Sequence, residues 1–124
     1  MSLPERYTLL VIEDREADLA AATELLRDSY HILTARTAAQ GAEILKSTEV
    51  HIILTDQGIP QMLQKSFLKE MKGDYPKAVQ IVLTGRAEIG SVIDAINQGY
   101  VFRYVRKPWN PSELRDVLAA AAAQ

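Results

Sequence analysis

Apolar residues in this chain fall in five short runs, separated by stretches in which apolar positions recur at helical spacing. Tyr7–Ile12 (YTLLVI) and Val50–Thr55 (VHIILT) are nearly continuous apolar runs, the pattern of strands buried on both faces. Tyr30–Thr34, Ala78–Leu83 and Val101–Arg106 read as three further strands. Glu16–Asp28 carries a helical stripe of Ala17, Leu19, Ala20, Leu25 and Leu26. Ala38–Lys46 reads as a second helix, with Ala39, Ala42, Ile44 and Leu45 apolar. After the break at Gln57-Gly58-Ile59-Pro60, Leu63–Lys72 is a third helix ended by Gly73. Glu88–Gln98 is a fourth, with Gly99 in the usual terminal position. Asn110, Pro111 and Glu113 stand at the cap, first and third positions of a fifth helix. Strict alternation of strand and helix predicts parallel strands joined by right-handed crossovers. The expected fold class is therefore α/β, a doubly wound (βα)5 unit with a five-stranded parallel sheet, for which the order 2-1-3-4-5 is taken.

Composition narrows the function classes. A chain of 124 residues fits one domain, expected to occupy residues 1–124. The net charge of -2 offers no basic footprint, so direct nucleic-acid contact is not expected. With no cysteine, disulfides, thiolate catalysis and Cys-based zinc sites are excluded. No apolar run reaches the roughly 18 residues of a membrane span, and no secretory segment opens the chain, so a cytoplasmic location is expected. His31 and His51 lie in separate apolar runs, and His51 reads as a satisfied core or edge histidine rather than a ligand. The last helix runs out in alanines without a stop signal, which suggests a domain excised from a longer protein.

The residues that end the strands carry the chemistry. The first strand ends in Glu13-Asp14, the third in Asp56, the fourth in Thr84 and the fifth in Lys107. In an open parallel sheet these ends share one edge, and ligands bind there at the switch point, which in this strand order lies between strands one and three. Three carboxylates brought together repel one another unless a cation neutralises them. An all-oxygen, partly hydrated donor set suits Mg²⁺. A carboxylate can attack phosphorus and form an aspartyl phosphate, and phosphoryl transfer depends mainly on neutralising the equatorial oxygens. Lys107 supplies a positive charge and Thr84 a hydroxyl where a phosphoryl group on Asp56 would arrive. Taken singly, each has a structural reading: Asp14 a helix cap, Asp56 a turn residue, Thr84 a strand exit, Lys107 a solvated charge. Those readings leave unexplained why all four share one sheet edge.

LLVIEDRE (9–16), IILTDQGIP (52–60), IVLTG (81–85) and YVRKPW (104–109), in this order and spacing, resemble a two-component response-regulator receiver domain of the chemotaxis-regulator type over nearly the whole chain. The resemblance implies a flavodoxin-like fold with the sheet order 2-1-3-4-5, and it implies that Asp56 is the phosphoacceptor. It implies that Asp14, Asp56 and the Gly58 carbonyl bind Mg²⁺, with Glu13 acting through a metal-bound water. Thr84 and Lys107 would contact the phosphoryl oxygens, and Tyr104 takes the aromatic switch position. The Lys107–Pro108 bond is expected to be cis. The implied function is signalling in a phosphorelay rather than enzymatic turnover, limited to Mg²⁺-dependent self-phosphorylation and slow self-dephosphorylation.

A histidine kinase or histidine phosphotransfer protein would donate the phosphoryl group. The face formed by the fourth helix, fifth strand and fifth helix would respond, and a homodimer through that face is one arrangement the resemblance allows. Arg103 and Arg106 border this face; with Arg86 they read as surface charges. The stretch 95–114 resembles receivers joined to HD-GYP-type phosphodiesterases or to histidine kinases. Departures from the family pattern are Glu13 where Asp is commonest, Gly85 where Ala or Ser is usual, and a loop after Pro60 without the expected glycine near 64. Gln57 and Gly58 stand at positions that tune phosphoryl lifetime. Two rival readings are a degenerate receiver acting as a phosphorylation-independent interaction module, and a flavodoxin-like enzyme or nucleotide binder. The second needs a glycine-rich phosphate cradle after the first strand, where this chain has Glu13-Asp14-Arg15-Glu16.

Overall fold

A computed structural model describes residues 6–56, 65–85 and 89–124. Five strands, β1 (Thr8–Ile12), β2 (His31–Ala35), β3 (Ile52–Asp56), β4 (Val79–Thr84) and β5 (Arg103–Arg106), alternate with five helices. The helices are α1 (Glu16–Leu26), α2 (Ala38–Ser47), α3 (Lys65–Asp74), α4 (Ile89–Asn97) and α5 (Pro111–Ala122). All four strand pairings are parallel, and the order is β2-β1-β3-β4-β5. The predicted fold class and strand order hold. The apolar runs work as expected: β3 is buried at every position, while edge strand β2 is mostly exposed or half-buried.

Side chains alternate across the sheet, and the alternation sorts the core into two faces. Leu9, Val11, Ile52, Leu54, Ile81, Leu83 and Val105 pack with Leu26 of α1 and Leu114 and Leu118 of α5. The intervening residues face the other way. Leu10, Ile12 and Ile53 meet Leu45 of α2 and Met71 of α3, and Val82 meets Leu68, Val92 and Ala95 of α3 and α4. Burying both faces is what makes these strands apolar throughout.

Several local expectations change. Gly73 lies inside α3 rather than beyond its end. Ala17, Ala20 and Ala39, placed on buried stripes from spacing alone, are exposed; α1 buries Ala22 and Leu26, and α2 buries Ala38, Gly41 and Leu45. Small alanines read as apolar in a pattern but bury little area, so the larger residues set the orientation of each helix. Other signals hold. Gly99 has a φ of 84°, which suits glycine at a helix end. Asn110 accepts hydrogen bonds from the Ser112 and Glu113 amides. The Lys107–Pro108 bond is cis. The His51 Nδ1 accepts from the Thr8 amide at 2.9 Å, and the His51 ring stacks edge-on against Tyr7. Among the described residues, no helix is long and apolar enough to cross a membrane.

Candidate functional site

The parallel ladders carry Glu13, Asp56 and Lys107 to the same sheet edge. The Glu13 amide donates to the Ala35 carbonyl at 2.9 Å, continuing the β1–β2 ladder one residue past β1. Asp56 closes β3 opposite Leu83. The Lys107 amide donates to the Thr84 carbonyl at 2.9 Å, holding the residue after β5 against β4. Glu13, Asp56 and Lys107 continue the alternation of Val11, Leu54 and Val105, so they lie on the face covered by α1 and α5.

There the Lys107 ammonium donates to Glu13 Oε2 at 2.7 Å, to Asp18 Oδ2 at 2.9 Å and to Asp56 Oδ2 at 3.2 Å. Its three N–H groups therefore meet three carboxylates. Glu13 is 1% exposed and Asp56 7%. The second Glu13 oxygen, Oε1, accepts from the Arg15 amide at 3.1 Å, so this carboxylate also serves the start of α1. Asp14 does not cap that helix: the N-cap is Arg15, without a side-chain bond. The purely structural reading of Asp14 thus loses its basis. Asp14 is exposed, and its carboxylate oxygen lies within 4.8 Å of those of Glu13 and Asp56. This trio can hold a metal ion. Its hard, negatively charged oxygen donors fit Mg²⁺, and a partly open cluster leaves room for the waters that ion keeps. Gly58, the expected backbone ligand, and the loop after Pro60 lie outside the described residues, as does Arg86.

Electrostatics follow the geometry. Burial is the largest cause that pushes the Glu13 carboxyl from 4.5 up to about 7. The Asp56 carboxylate adds to it, while Lys107 and the Arg15 amide oppose it. The mutual repulsion expected of clustered carboxylates ranks behind desolvation for this residue. Burial pulls the Lys107 ammonium down, but Glu13, Asp18 and Asp56 outweigh it and hold its pKa above the usual lysine range.

Thr84 and Tyr104 share the alternation of Val82, placing them on the α3–α4 face of the sheet. Thr84 is fully buried, and its hydroxyl donates to the Gly85 carbonyl at 2.9 Å. Tyr104 is half-buried against the cluster of Leu68, Val82, Val92 and Ala95.

The residue missed by sequence reasoning is Asp18. An acid in the first turn of a helix complements the helix dipole, which is sufficient reason for its presence and drew attention away from any site role. The available signal was positional: α1 begins three residues after Glu13, so its first turn stands over the same sheet edge.

Comparison with known proteins agrees with the fold. The model of the response regulator receiver domain matches residues 9–119. The hydrogenase transcriptional regulatory protein HoxA of Bradyrhizobium diazoefficiens is 30% identical over 114 residues, covering 92% of this chain and 24% of that protein. The chain thus spans about a quarter of the length of this relative. The hybrid signal transduction histidine kinase D of Dictyostelium discoideum is 28% identical over 108 residues, 86% of this chain and 7% of the kinase. Among solved structures, the signal receiver domain of an HD domain-containing protein from Pseudomonas fluorescens Pf-5 superposes with a TM-score of 0.88 at 31% identity, covering 99% of this chain and 91% of that one. With the strand order, the acidic trio and the lysine in place, this chain belongs to the response regulator receiver domain family.

Proposed function

We propose that Asp56 accepts a phosphoryl group from a phosphohistidine on a partner histidine kinase or histidine phosphotransfer protein. The observation that carries this reading is the convergence on Asp56 of Lys107 at 3.2 Å and of Glu13 and Asp14 within 4.8 Å. An Asp56 carboxylate oxygen attacks phosphorus in line, a P–O bond forms, and the P–N bond to the donor imidazole breaks with its electrons returning to the ring. Mg²⁺ held by Asp14 and Asp56, with Glu13 behind them, would supply charge neutralisation for the phosphoryl oxygens. Lys107 reorients from Asp56 to the transferred group, and the Thr84 hydroxyl turns toward it. Tyr104 follows on the α3–α4 face and reshapes the surface of α4, β5 and α5. The new charge of roughly -1.5 to -2 is the ligand that favours one of two states.

Signalling, not turnover, is the function, and the chain acts in the cytoplasm. Its parent carries an output module, an HD-type phosphodiesterase or a histidine kinase, in line with the HD domain-containing and hybrid-kinase relatives. Direct nucleic-acid contact by this chain is not part of the reading, given its net charge of -2.

The test is intact mass after incubation with Mg²⁺ and acetyl phosphate. The wild type should gain one phosphoryl group, and Asp56→Asn should gain none. A wild type that stays unmodified under these conditions would point to the degenerate receiver instead.

A further inference from the structure

Lys107 is held by three carboxylates of two kinds. Glu13 and Asp56 belong to the acidic trio that can hold a metal ion, whereas Asp18 does not. Asp18 reaches the ammonium from the first turn of α1, at 2.9 Å. It is also the most open of the three, its side chain 31% exposed against 1% for Glu13 and 10% for Asp56.

This arrangement sets up a competition. A cation arriving at the trio draws on the same two carboxylates, Glu13 and Asp56, that Lys107 contacts. Two positive charges then face each other across Glu13 and Asp56, and the ammonium must give up part of its contact with them. An ammonium in a site this closed loses much by surrendering acceptors unless another anion keeps it satisfied. Asp18 is placed to do so.

We propose that Asp18 is a positioning residue that draws the Lys107 ammonium toward α1, leaving Glu13 and Asp56 available to a divalent cation. The inference rests on the metal-binding part of the functional reading, and it needs no phosphoryl transfer. Asp18 acts through Lys107, so its influence on the metal disappears when Lys107 is absent.

The test is a double-mutant cycle with Mg²⁺ alone as probe, titrated by calorimetry or followed by the fluorescence of Trp109, the single tryptophan of the chain. Asp18→Asn should raise the Mg²⁺ Kd about three- to tenfold. In a Lys107→Met background the same substitution should change the Kd by less than about twofold. Glu16→Gln, which removes an exposed acid from the same helical turn, should also change it by less than about twofold. Circular dichroism confirms that each variant folds.

An unchanged or lowered Kd in Asp18→Asn overturns the inference while leaving the functional reading intact. An equal loss with and without Lys107, or an equal loss in Glu16→Gln, overturns it as well, because the effect is then one of general charge. A wild type that takes up no Mg²⁺ overturns both this inference and the metal-dependent reading, and the mass measurement on Asp56 stands apart from either.

Discussion

At the scale of single residues, the site is a balance between burial and charge, and Glu13 shows which prevails. Its carboxyl is pushed up to about 7 chiefly by burial, although Lys107 donates to it at 2.7 Å. The native state therefore holds the Glu13 proton more tightly than the unfolded chain does. Between pH 4.5 and about 7 the native state binds more protons, so this residue's contribution to stability is present at the acid end and is lost as pH rises across that window. Denaturant melts in the presence of a chelator should show it as a decline of about 2–3 kcal/mol from this group. Glu13→Gln should flatten the slope in that window. A slope that Glu13→Gln leaves unchanged would assign the dependence to other groups. Lys107 has the same sign in a different window: its raised pKa makes a contribution that is complete below the ordinary lysine value of 10.5 and fades only above it, so it does not disturb the acidic window.

At the scale of elements, packing and propensity can be separated by two glycines. A Cβ at Gly41 of α2 would lie 2.6 Å from Ile12 Cδ1 and 3.2 Å from Ile12 Cγ1, and Ile12 is fully buried. Glycine there lets α2 close onto β1, next to the strand end that carries Glu13. At Gly90 of α4 a Cβ would meet nothing within 4 Å among the described residues, so none of them gives that glycine a packing reason. Gly41→Ala should destabilise the chain by about 1–2 kcal/mol despite the better helix former, since overpacking a full core outweighs propensity. Gly90→Ala should stabilise it by up to about 1 kcal/mol. Thermal melts of the two variants should move in opposite directions; movement in the same direction would refute the packing account of α2. The strands and their shared edge were legible in the sequence because strands buried on both faces must be apolar throughout and parallel ends must lie together, whereas the strand order came with the resemblance to receiver domains. The role of Gly41 was not, because a glycine within an apolar helical stripe looks the same whether it permits close approach or merely weakens the helix. Asp18 stayed hidden for a related reason: its fit to the helix dipole is local, whereas its contact with Lys107 spans 89 residues of sequence.

For the whole molecule, the sheet separates the acidic cluster from the proposed switch residues. Glu13, Asp56 and Lys107 sit with Asp18 on the α1–α5 side, while Thr84 and Tyr104 sit with Val82, Val92 and Ala95 on the α3–α4 side. Among the described residues the two sides meet at the ends of β3, β4 and β5, where Asp56 pairs with Leu83 and Thr84 with Arg106. These strand ends link Asp56 to the α4 side, and the β1–β2–α2 half lies off that route. The opposite side is also braced: buried Gln80 donates to the Leu68 and Tyr100 carbonyls at 3.1 and 2.9 Å, tying α3 to the turn before β5. Taking a two-state face from about one in ten to nine in ten requires roughly 2.6 kcal/mol of differential stabilisation, within reach of a few charge-assisted hydrogen bonds to a phosphoryl group. Hydrogen exchange with Mg²⁺ and acetyl phosphate should accordingly change over α4 and β5 and stay constant over β2 and α2. Asp56→Asn should abolish the change together with the mass adduct. Tyr104→Ala should keep the adduct but lose the response in α4, because Thr84 would then turn with no aromatic ring to follow it. An adduct accompanied by unaltered exchange in α4 and β5 would leave Asp56 its phosphoryl group and remove Tyr104 from the switch.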